Sequence, residues 1–531
     1  MNGPAVDFSD IQGIVRFGYS SLTEASFFLL KIRDAKAARA WLATAPVSTA
    51  VERKTAPDTA LQVAFTVDGL RALGMNEEVV ESFAPEFLSG MGQNSSRSRR
   101  LGDVGANSPE YWRWGSAEKL PHLVVMFYAR PGQLQDWVQS AQNNHWNDGF
   151  ESIDCLTTAN LHDKEPFGFA DGVSQPTVDW ERERVPGQDE IEYGNVVSLG
   201  EFLLGYPNEY GKYTDRPLLA ADDPFADLVP VAEDAPDKRD LGRNGAYVVL
   251  RQLEQDVRGF WRFANAHAQS DPLAREAFAE SMVGRRMDGN PLEPLEPTPI
   301  PGVEGKVAQR NNFTYDDDSD GVRCPFGAHV RRANPRNPDL PGRPPNIVSK
   351  LLRMLGFGDT AFRYDVEAST RFHRLLRRGR EYGGPLLTLD QAIADGSDTG
   401  EHGLHFICIV ANITRQFEFV QNSWLRNTKF DALTEESDPL IGNRERVTGC
   451  PFTDTFSIPQ QHGVRDRAMN VPQFITVRGG AYFFLPSLSS IRYLAALGES
   501  ATRKTRSRTS TKQFIGTYEI KGCVDRRGSG Y

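Results

Sequence analysis

Three short segments carry side chains whose types suit chemistry. Asp171 lies on an Asp-Gly turn between phenylalanines, which would solvate its carboxylate poorly, and a carboxylate so placed could transfer a proton. His329 follows a Gly-Ala step that would let a bulky planar group approach the backbone, and its imidazole could bind a ligand. Arg377 follows two leucines and would supply a permanent cation. Taken singly, these residues also fit a structural turn, a packed histidine and a solvent-facing arginine.

The elements that would position these side chains begin with strands and interleaved helices in residues 1–165. Alternating or continuous apolar runs predict strands, and apolar residues at helical spacing predict helices. We predict strands over 25–32, 61–67, 122–128 and 149–156, and helices over 34–45, 69–83 and 132–142. This order favours an α+β sandwich in which helices cover one face of a sheet.

The second half repeats this order with longer interruptions. Strands are predicted over 246–252, 404–410 and 474–478, and helices between the first of these and Met282. Tracts rich in Pro, Gly and Asp lie at about 184–243, 284–323 and 333–370, and loops of this length are usually functional or insertional. We therefore predict a first α+β domain over 1–165, a connecting segment over 166–243, a second α+β domain over 244–499 and a basic, mobile tail over 500–531.

The composition indicates a soluble globular protein. The 531 residues are 39% hydrophobic and 24% charged, which is enough apolar material for a core, and their net charge of −10 disfavours a nucleic-acid partner. The first residues lack the basic and apolar regions of a signal peptide, and no run of about 18 apolar residues could span a membrane. The five cysteines are few and far apart, which fits neither a disulfide framework nor a zinc site. We expect a cytoplasmic protein with no membrane partner.

Three further patterns resemble ligand sites but lack a necessary part. Gly356–Ala361 fits a loose dinucleotide pattern, yet the preceding residues look helical, whereas a phosphate-binding turn follows a strand. The acidic run that begins at Asp316 starts like a calcium loop, but Gly327 occupies the position of the closing glutamate. His402 and His405 would point to opposite faces of a strand and could not chelate one ion.

Taken together, the segments resemble the dye-decolourising haem peroxidases. Gly168–Gly172 is similar to that family's GxxDG signature, and the order of this acid, a later histidine and Leu-Leu-Arg with an aromatic-Gly ending is the family's order. Further matches lie along nearly the whole chain, at Asp10–Gly13, Ala64–Thr66, Gly69–Gly74, Gly403–Phe406 and Gln416–Gln421 before Trp424. The resemblance implies an α+β fold of two ferredoxin-like domains with antiparallel sheets, and haem b held mainly by the C-terminal domain. The long loops are similar to those of the larger bacterial and fungal members.

The resemblance also implies a role for each candidate residue. His329 would bind the haem iron through Nε2 and donate from Nδ1 to a carboxylate, for which Glu418 is the candidate. The alternative for Glu418 is a surface acid on a helix. Asp171 would take a proton from hydrogen peroxide and return it to the departing oxygen. Arg377 would stabilise the charge that develops as the O–O bond breaks.

Two apolar residues and the acid would set the properties of the pocket. Leu404 and Phe406 alternate onto one strand face and match family positions that keep the pocket dry, although both also fit an ordinary core. Because an aspartate has an ordinary pKa near 3.9, we expect peroxidase activity on the acid side of neutrality. The neighbouring phenylalanines would limit how acidic the pH optimum can be, by raising the pKa of Asp171.

The implied function is a peroxidase that reduces hydrogen peroxide and oxidises dyes, phenols or other one-electron donors. Two other classes stay open: a haem carrier or sensor without turnover, and a porphyrin-processing protein that releases iron. Asp171 and Arg377 favour the peroxidase because a carrier needs neither. A homo-oligomer also stays open.

Overall fold

The computed structural model describes residues 5–184, 195–292, 310–311, 313–336, 370–396, 400–446 and 453–498. Within them the strands are β1 (Glu24–Ile32), β2 (Thr59–Phe65), β3 (Leu123–Ala129), β4 (Phe150–Thr157), β5 (Thr177–Asp179), β6 (Val196–Ser198), β7 (Leu218–Ala220), β8 (Lys238–Asp240), β9 (Ala246–Gln255), β10 (Leu376–Arg377), β11 (Arg380–Gly383), β12 (His402–Val410), β13 (Phe456–Ile458), β14 (Asp466–Ala468) and β15 (Ile475–Leu485). The α-helices are α1 (Ala35–Leu42), α2 (Val67–Ala72), α3 (Glu77–Val80), α4 (Pro85–Ser89), α5 (Ser95–Leu101), α6 (Leu134–Ala141), α7 (Asn144–Gly149), α8 (Val257–His267), α9 (Pro272–Val283), α10 (His329–Ala333), α11 (Leu389–Ile393) and α12 (Leu488–Ala496).

Most of the long strands join in one antiparallel sheet. Its order is β10-β12-β9-β15-β2-β3-β1-β4, and β11 also pairs with β12. The N-terminal strands stand in the order second, third, first, fourth of their own half, and the C-terminal strands repeat this order. The two halves meet at the single pair of Phe484 with Phe65. The expected α+β fold with two ferredoxin-like units and antiparallel sheets is confirmed.

Local sequence explains where the first elements begin and end. Every residue of β3 is buried, which fits its continuous apolar run. The Asp34 side chain accepts a hydrogen bond from the backbone N–H of Ala37 and so begins α1. Thr66 caps α2 in the same way, so β2 ends at Phe65. The single helix predicted over 69–83 is wrong: Gly74 has a φ of +91° and separates α2 from α3.

β15 is longer than the strand predicted over 474–478. It continues through Gly479 and Gly480, with a bulge after Val477. A Cβ atom on Gly479 would lie 2.5 Å from the ring of Trp114, which is fully buried against it. The Trp114 Nε1 donates to Gln252 Oε1 at 2.9 Å. Gly479 therefore lets a tryptophan from the N-terminal half pack on a strand of the C-terminal half.

The other sequence patterns either have structural roles or lie outside the described residues. The Asp318 carboxylate accepts the backbone N–H groups of Arg323 and Cys324, as a loop-fixing carboxylate does. His405 contacts the Thr157 carbonyl oxygen through Nε2 at 2.9 Å. The pattern at 356–361 and the tail over 500–531 lie outside the described residues. No helix in the described ranges is both long and apolar enough to cross a membrane.

Candidate active site

A cavity lies beside the C-terminal half of the sheet. One wall comes from β9 and β12, and another comes from the loop over 165–176. The remaining lining includes α10 and the π-helical segments Thr414–Glu418 and Val420–Leu425, which wind more widely than an α-helix. The lining includes five of the six predicted site residues, namely Asp171, His329, Arg377, Leu404 and Phe406. The structure therefore brings together residues from segments far apart in the sequence.

His329 is the first residue of α10 and points a ring nitrogen at a carboxylate. Its Nδ1 lies 2.9 Å from Oδ2 of Asp438. About a third of the His329 side chain is exposed, at 31%, and the residue lines the cavity. Nε2 has no hydrogen-bond partner among the described residues, so this nitrogen is available to a ligand in the cavity.

Asp438 is fully buried and held from two sides. Its Oδ1 accepts the backbone N–H groups of Leu440 and Ile441, each at 2.9 Å. Burial acts to raise the pKa of Asp438, but His329, the charge of Arg332 and the backbone N–H of Ile441 together outweigh burial and keep that pKa below its ordinary value. Asp438 is therefore ionised, and an ionised acceptor fixes the proton of His329 on Nδ1.

The prediction that Glu418 is the carboxylate partner of His329 is wrong. Glu418 forms a buried ion pair with Arg97 and accepts a hydrogen bond from the hydroxyl of Tyr482 at 2.9 Å. It does not line the cavity. The π-helical winding around Glu418 aims its side chain at α5 and β15 instead. The surface interpretation is also wrong, because the residue is buried.

Asp171 and Arg377 form an ion pair in the cavity wall. Nη1 of Arg377 donates to Oδ1 of Asp171 at 3.0 Å, and Nη2 lies 3.3 Å from the carbonyl oxygen of Ser174. Both side chains of the ion pair stay partly exposed, at 29% for Arg377 and 27% for Asp171. A ligand in the cavity can therefore reach the carboxylate and the guanidinium together.

The pKa of Asp171 is lowered, not raised. Burial acts to raise it, as the sequence suggested, but the charge of Arg377 and the backbone N–H of Gly172 outweigh burial. The expectation that the phenylalanines set the pKa is therefore wrong. Asp171 remains a proton acceptor at an acidity where an ordinary aspartate is already partly protonated.

Glu165 is a second carboxyl group of the cavity, which the sequence did not single out. It accepts the N–H groups of Phe167 and Phe169 and the side-chain amide of Gln255 at 2.8 Å. Burial raises the pKa of Glu165 to about 7. These contacts fix the start of the loop that carries Asp171.

The apolar part of the lining includes the two residues predicted from β12. Leu404 pairs with Leu253 of β9, and Phe406 pairs with Arg251, so all four side chains stand on the cavity face. Phe406 also packs against Phe417, with the ring centroids 6.2 Å apart. These side chains give an apolar wall to the cavity whose lining also includes the ion pair.

The donor set fits the haem that the resemblance implies. The His329 imidazole offers Nε2 while Asp438 holds Nδ1, as carboxylate-supported histidine ligands do. Among the described residues, no group of three His, Cys, Asp or Glu side chains could hold a metal ion. A metal at His329 would therefore need its other ligands from a macrocycle rather than from this part of the chain.

Comparison with known proteins identifies relatives over nearly the whole chain. Dye-decolorizing peroxidase msp1 of Mycetinis scorodonius is 28% identical over 511 residues, which cover 92% of this chain and 87% of the relative. Dye-decolorizing peroxidase AauDyP1 of Auricularia auricula-judae is 28% identical over 92% of this chain and 86% of its own length. Multifunctional dye peroxidase DyP2 of Amycolatopsis sp. is 30% identical over 65% of this chain and 64% of its own. No protein-family model matches the chain.

Solved structures share the fold. A fungal DyP-type peroxidase from Auricularia auricula-judae superposes with a TM-score of 0.68 at 24% identity. The superposition covers 93% of this chain and 100% of the fungal one. A dye-decolorizing peroxidase in complex with 2,6-dimethoxyphenol has a TM-score of 0.65 at 23% identity and covers 92% of this chain.

Proposed function

Because the chain belongs to the dye-decolourising peroxidase family, we propose that it reduces hydrogen peroxide and oxidises dyes, phenols or other one-electron donors. Members of this family are haem enzymes, and the proposed cofactor here is haem b in the cavity beside α10. When bound, haem would supply the redox chemistry, because it can link the two-electron reduction of peroxide to the one-electron oxidation of a reductant.

One observation carries the proposal: His329, Asp171 and Arg377 line one cavity, and the buried Asp438 holds His329 there. The pair of His329 with Asp438 supplies an iron ligand, and the pair of Asp171 with Arg377 supplies an acid–base group beside a cation. A haem carrier needs only the first pair. The presence of the second pair supports an enzyme.

The first pair has the role of holding the cofactor. His329 binds iron through Nε2, and its Nδ1–H donates to Asp438. The negative charge of Asp438 raises the basicity of the ring and fixes its orientation. The two N–H donors to Asp438 keep that carboxylate from turning away.

The second pair has the role of moving a proton. The Asp171 carboxylate takes the proton from one oxygen of hydrogen peroxide through an Oδ atom and gives it to the other oxygen as that oxygen leaves. Arg377 keeps Asp171 ionised before this step. Its guanidinium also stabilises negative charge that develops on the peroxide oxygens.

Leu404 and Phe406 exclude water from the same space. A drier cavity strengthens the interaction between Arg377 and developing charge. Phenolic reductants are proposed because a relative of the same fold binds 2,6-dimethoxyphenol. Dyes are proposed from the names of the relatives.

Rapid mixing of the haem-loaded protein with one equivalent of hydrogen peroxide tests the proposal. We expect the Soret band to change within the mixing experiment and to recover when a phenol is added. Asp171→Asn should bind haem normally but slow the spectral change by at least about 100-fold, the contribution typical of an acid–base group. His405→Ala, a buried histidine away from the cavity, serves as the control and should react at the wild-type rate.

A Soret band that forms but does not respond to peroxide would contradict the proposal and favour a carrier. Loss of the band with release of free iron would instead favour a porphyrin-processing protein. Wild-type rates in Asp171→Asn would leave the peroxidase standing but exclude Asp171 as its acid–base group.

A further inference from the structure

We propose that Gln175 is a positioning residue that holds Arg377 in place beside Asp171. The inference rests on the proposed function, since it assigns Gln175 a part in the peroxide reaction. Gln175 lies four positions after Asp171 in the same loop. Among the described residues, its side-chain amide forms hydrogen bonds with the backbone of Arg377 and with neither the Asp171 carboxylate nor the Arg377 guanidinium. It acts through the backbone of Arg377.

The contact is a pair of hydrogen bonds from one side-chain amide. The backbone N–H of Arg377 donates to Oε1 of Gln175 at 3.0 Å, and Nε2 of Gln175 donates to the carbonyl oxygen of Arg377 at 3.1 Å. A primary amide has one acceptor oxygen and a donor nitrogen, so it can satisfy both backbone groups of one residue.

Arg377 needs such a partner because of its place in the sheet. It lies on the two-residue strand β10, which pairs with β12 on one side. The next residue, Arg378, donates its N–H to the carbonyl oxygen of Ile407 on β12 at 2.7 Å. Backbone groups alternate in direction along a strand, so those of Arg377 point away from β12. The Gln175 amide thus takes the place of a neighbouring strand at this edge.

Gln175 is itself fixed from behind. The backbone carbonyl oxygen of Gln175 accepts hydrogen bonds from the side-chain amides of Asn195 at 3.0 Å and Asn311 at 2.8 Å. At the other end of Arg377, Asp171 and the carbonyl oxygen of Ser174 accept its guanidinium. One short loop therefore holds both the backbone and the side-chain end of the same arginine.

Displacement of Arg377 would change the acid–base group. The charged and titratable groups that act on Asp171 or respond to it are Arg377, His329, Glu165 and Glu381. Of these, Arg377 lowers the pKa of Asp171 most and so opposes the effect of burial most strongly. If the guanidinium moved away, burial would dominate and Asp171 would hold its proton at higher pH.

The chain contains a matched control for this contact. Gln12 forms the same pair of bonds with Val63: it accepts the Val63 N–H at 2.9 Å and donates to the Val63 carbonyl oxygen at 2.8 Å. Gln12 does not line the cavity. Gln12→Met and Gln175→Met each replace the amide by an apolar group of similar length, so both remove a backbone clamp, but only the second touches Arg377.

Two measurements separate positioning from a merely structural role. The first is the pKa of Asp171 in the haem-free protein, taken from the infrared carboxylate band that Asp171→Asn removes. The second is the rate of the Soret change with hydrogen peroxide in the haem-loaded protein. For Gln175→Met we expect the pKa to rise by about one unit and the rate at pH 5 to fall about 10-fold to 100-fold. Gln12→Met should change neither, although both variants should unfold at lower temperature.

A wild-type pKa and rate in Gln175→Met would overturn the proposal, as would equal shifts in Gln12→Met. If Gln175→Met does not fold, Gln175→Asn takes its place, because the shorter amide cannot reach both backbone groups; we expect changes in the same direction. Failure of the wild-type protein to react with peroxide would overturn the proposed function, while the infrared titration of haem-free protein would still decide the role of Gln175.

Discussion

Two carboxyl groups of one loop show how neighbouring residues decide the charge of a buried acid. Glu165 and Asp171 both lose water on folding, and burial is the largest influence on each. Glu165 accepts only uncharged donors, and its pKa rises to about 7. Asp171 has Arg377 at 3.0 Å, and its pKa falls. At neutral pH only Asp171 is poised as a fully ionised base.

The pH dependence of the peroxide reaction follows from this ion pair. The base is the carboxylate, so activity is lost as the pH falls through the folded-state pKa of Asp171. Because Arg377 lowers that pKa, the wild-type rate should hold down to about pH 4, near the ordinary aspartate value. Arg377→Leu should lower the rate and move the acid limb to higher pH. Stopped-flow rates between pH 3 and pH 8 measure both; a wild-type limb already near pH 6 would contradict the assignment.

The carboxylate partner of His329 can be tested by the reduction potential of bound haem. An ionised Asp438 makes His329 a more basic ligand, which favours ferric iron. Asp438→Asn should therefore raise the potential and weaken haem binding by about 10-fold to 100-fold. Glu418→Gln should lower stability but leave the potential unchanged, because Glu418 contacts Arg97 and Tyr482. Spectroelectrochemical titration would contradict the assignment if the two variants exchanged these effects.

The sequence motifs predicted the residues that line the cavity, but not the residues on other elements that hold them in place. Asp171 and Arg377 could be found because each stands in a short, ordered signature. Asp438 could not, because it lies 109 positions from His329 and only the fold brings it to Nδ1. Glu418 misled for a related reason: sequence distance to the histidine says nothing about which way a π-helical residue points.

β15 offers a test of element packing. Gly479 lies against Trp114, and an added Cβ atom would clash with the buried ring at 2.5 Å. Gly479→Ala should therefore lower the free energy of unfolding by about 1–3 kcal/mol, the usual cost of overpacking. Gly18 has open space around its Cβ position, so Gly18→Ala serves as the control and should change stability by less than about 0.5 kcal/mol. Equal effects in urea denaturation would contradict this packing.

At the scale of the whole molecule, buried charges join halves that share little backbone pairing. The sheets meet at one residue pair, Phe484 with Phe65. Arg97 pairs with Glu418, and Asp103 pairs with Arg251, so two buried ion pairs of the described residues cross between the halves. The division of the chain into 1–165, 166–243, 244–499 and 500–531 stays a proposal, and these contacts mean that the first and third regions stabilise each other.

Removing one partner of a crossing ion pair should destabilise the molecule strongly. Glu418→Ala leaves the buried Arg97 guanidinium without its carboxylate, which typically costs about 3–5 kcal/mol. Glu52→Ala breaks an ion pair of Arg16 in which the Glu52 side chain is 76% exposed, and should cost at most about 1 kcal/mol. Denaturant unfolding followed by tryptophan fluorescence measures both. A cost for Glu418→Ala as small as that of the surface control would contradict a joining role.

The proposed reaction depends on the binding of haem by His329 in the cavity. Titration of haem-free protein with haem, followed by absorption at the Soret band, tests it most directly. We expect the wild type to bind one haem per chain, and His329→Gly to lose tight binding and to regain a Soret band when imidazole is added. Wild-type haem affinity and an unchanged Soret band in His329→Gly would exclude His329 as the iron ligand.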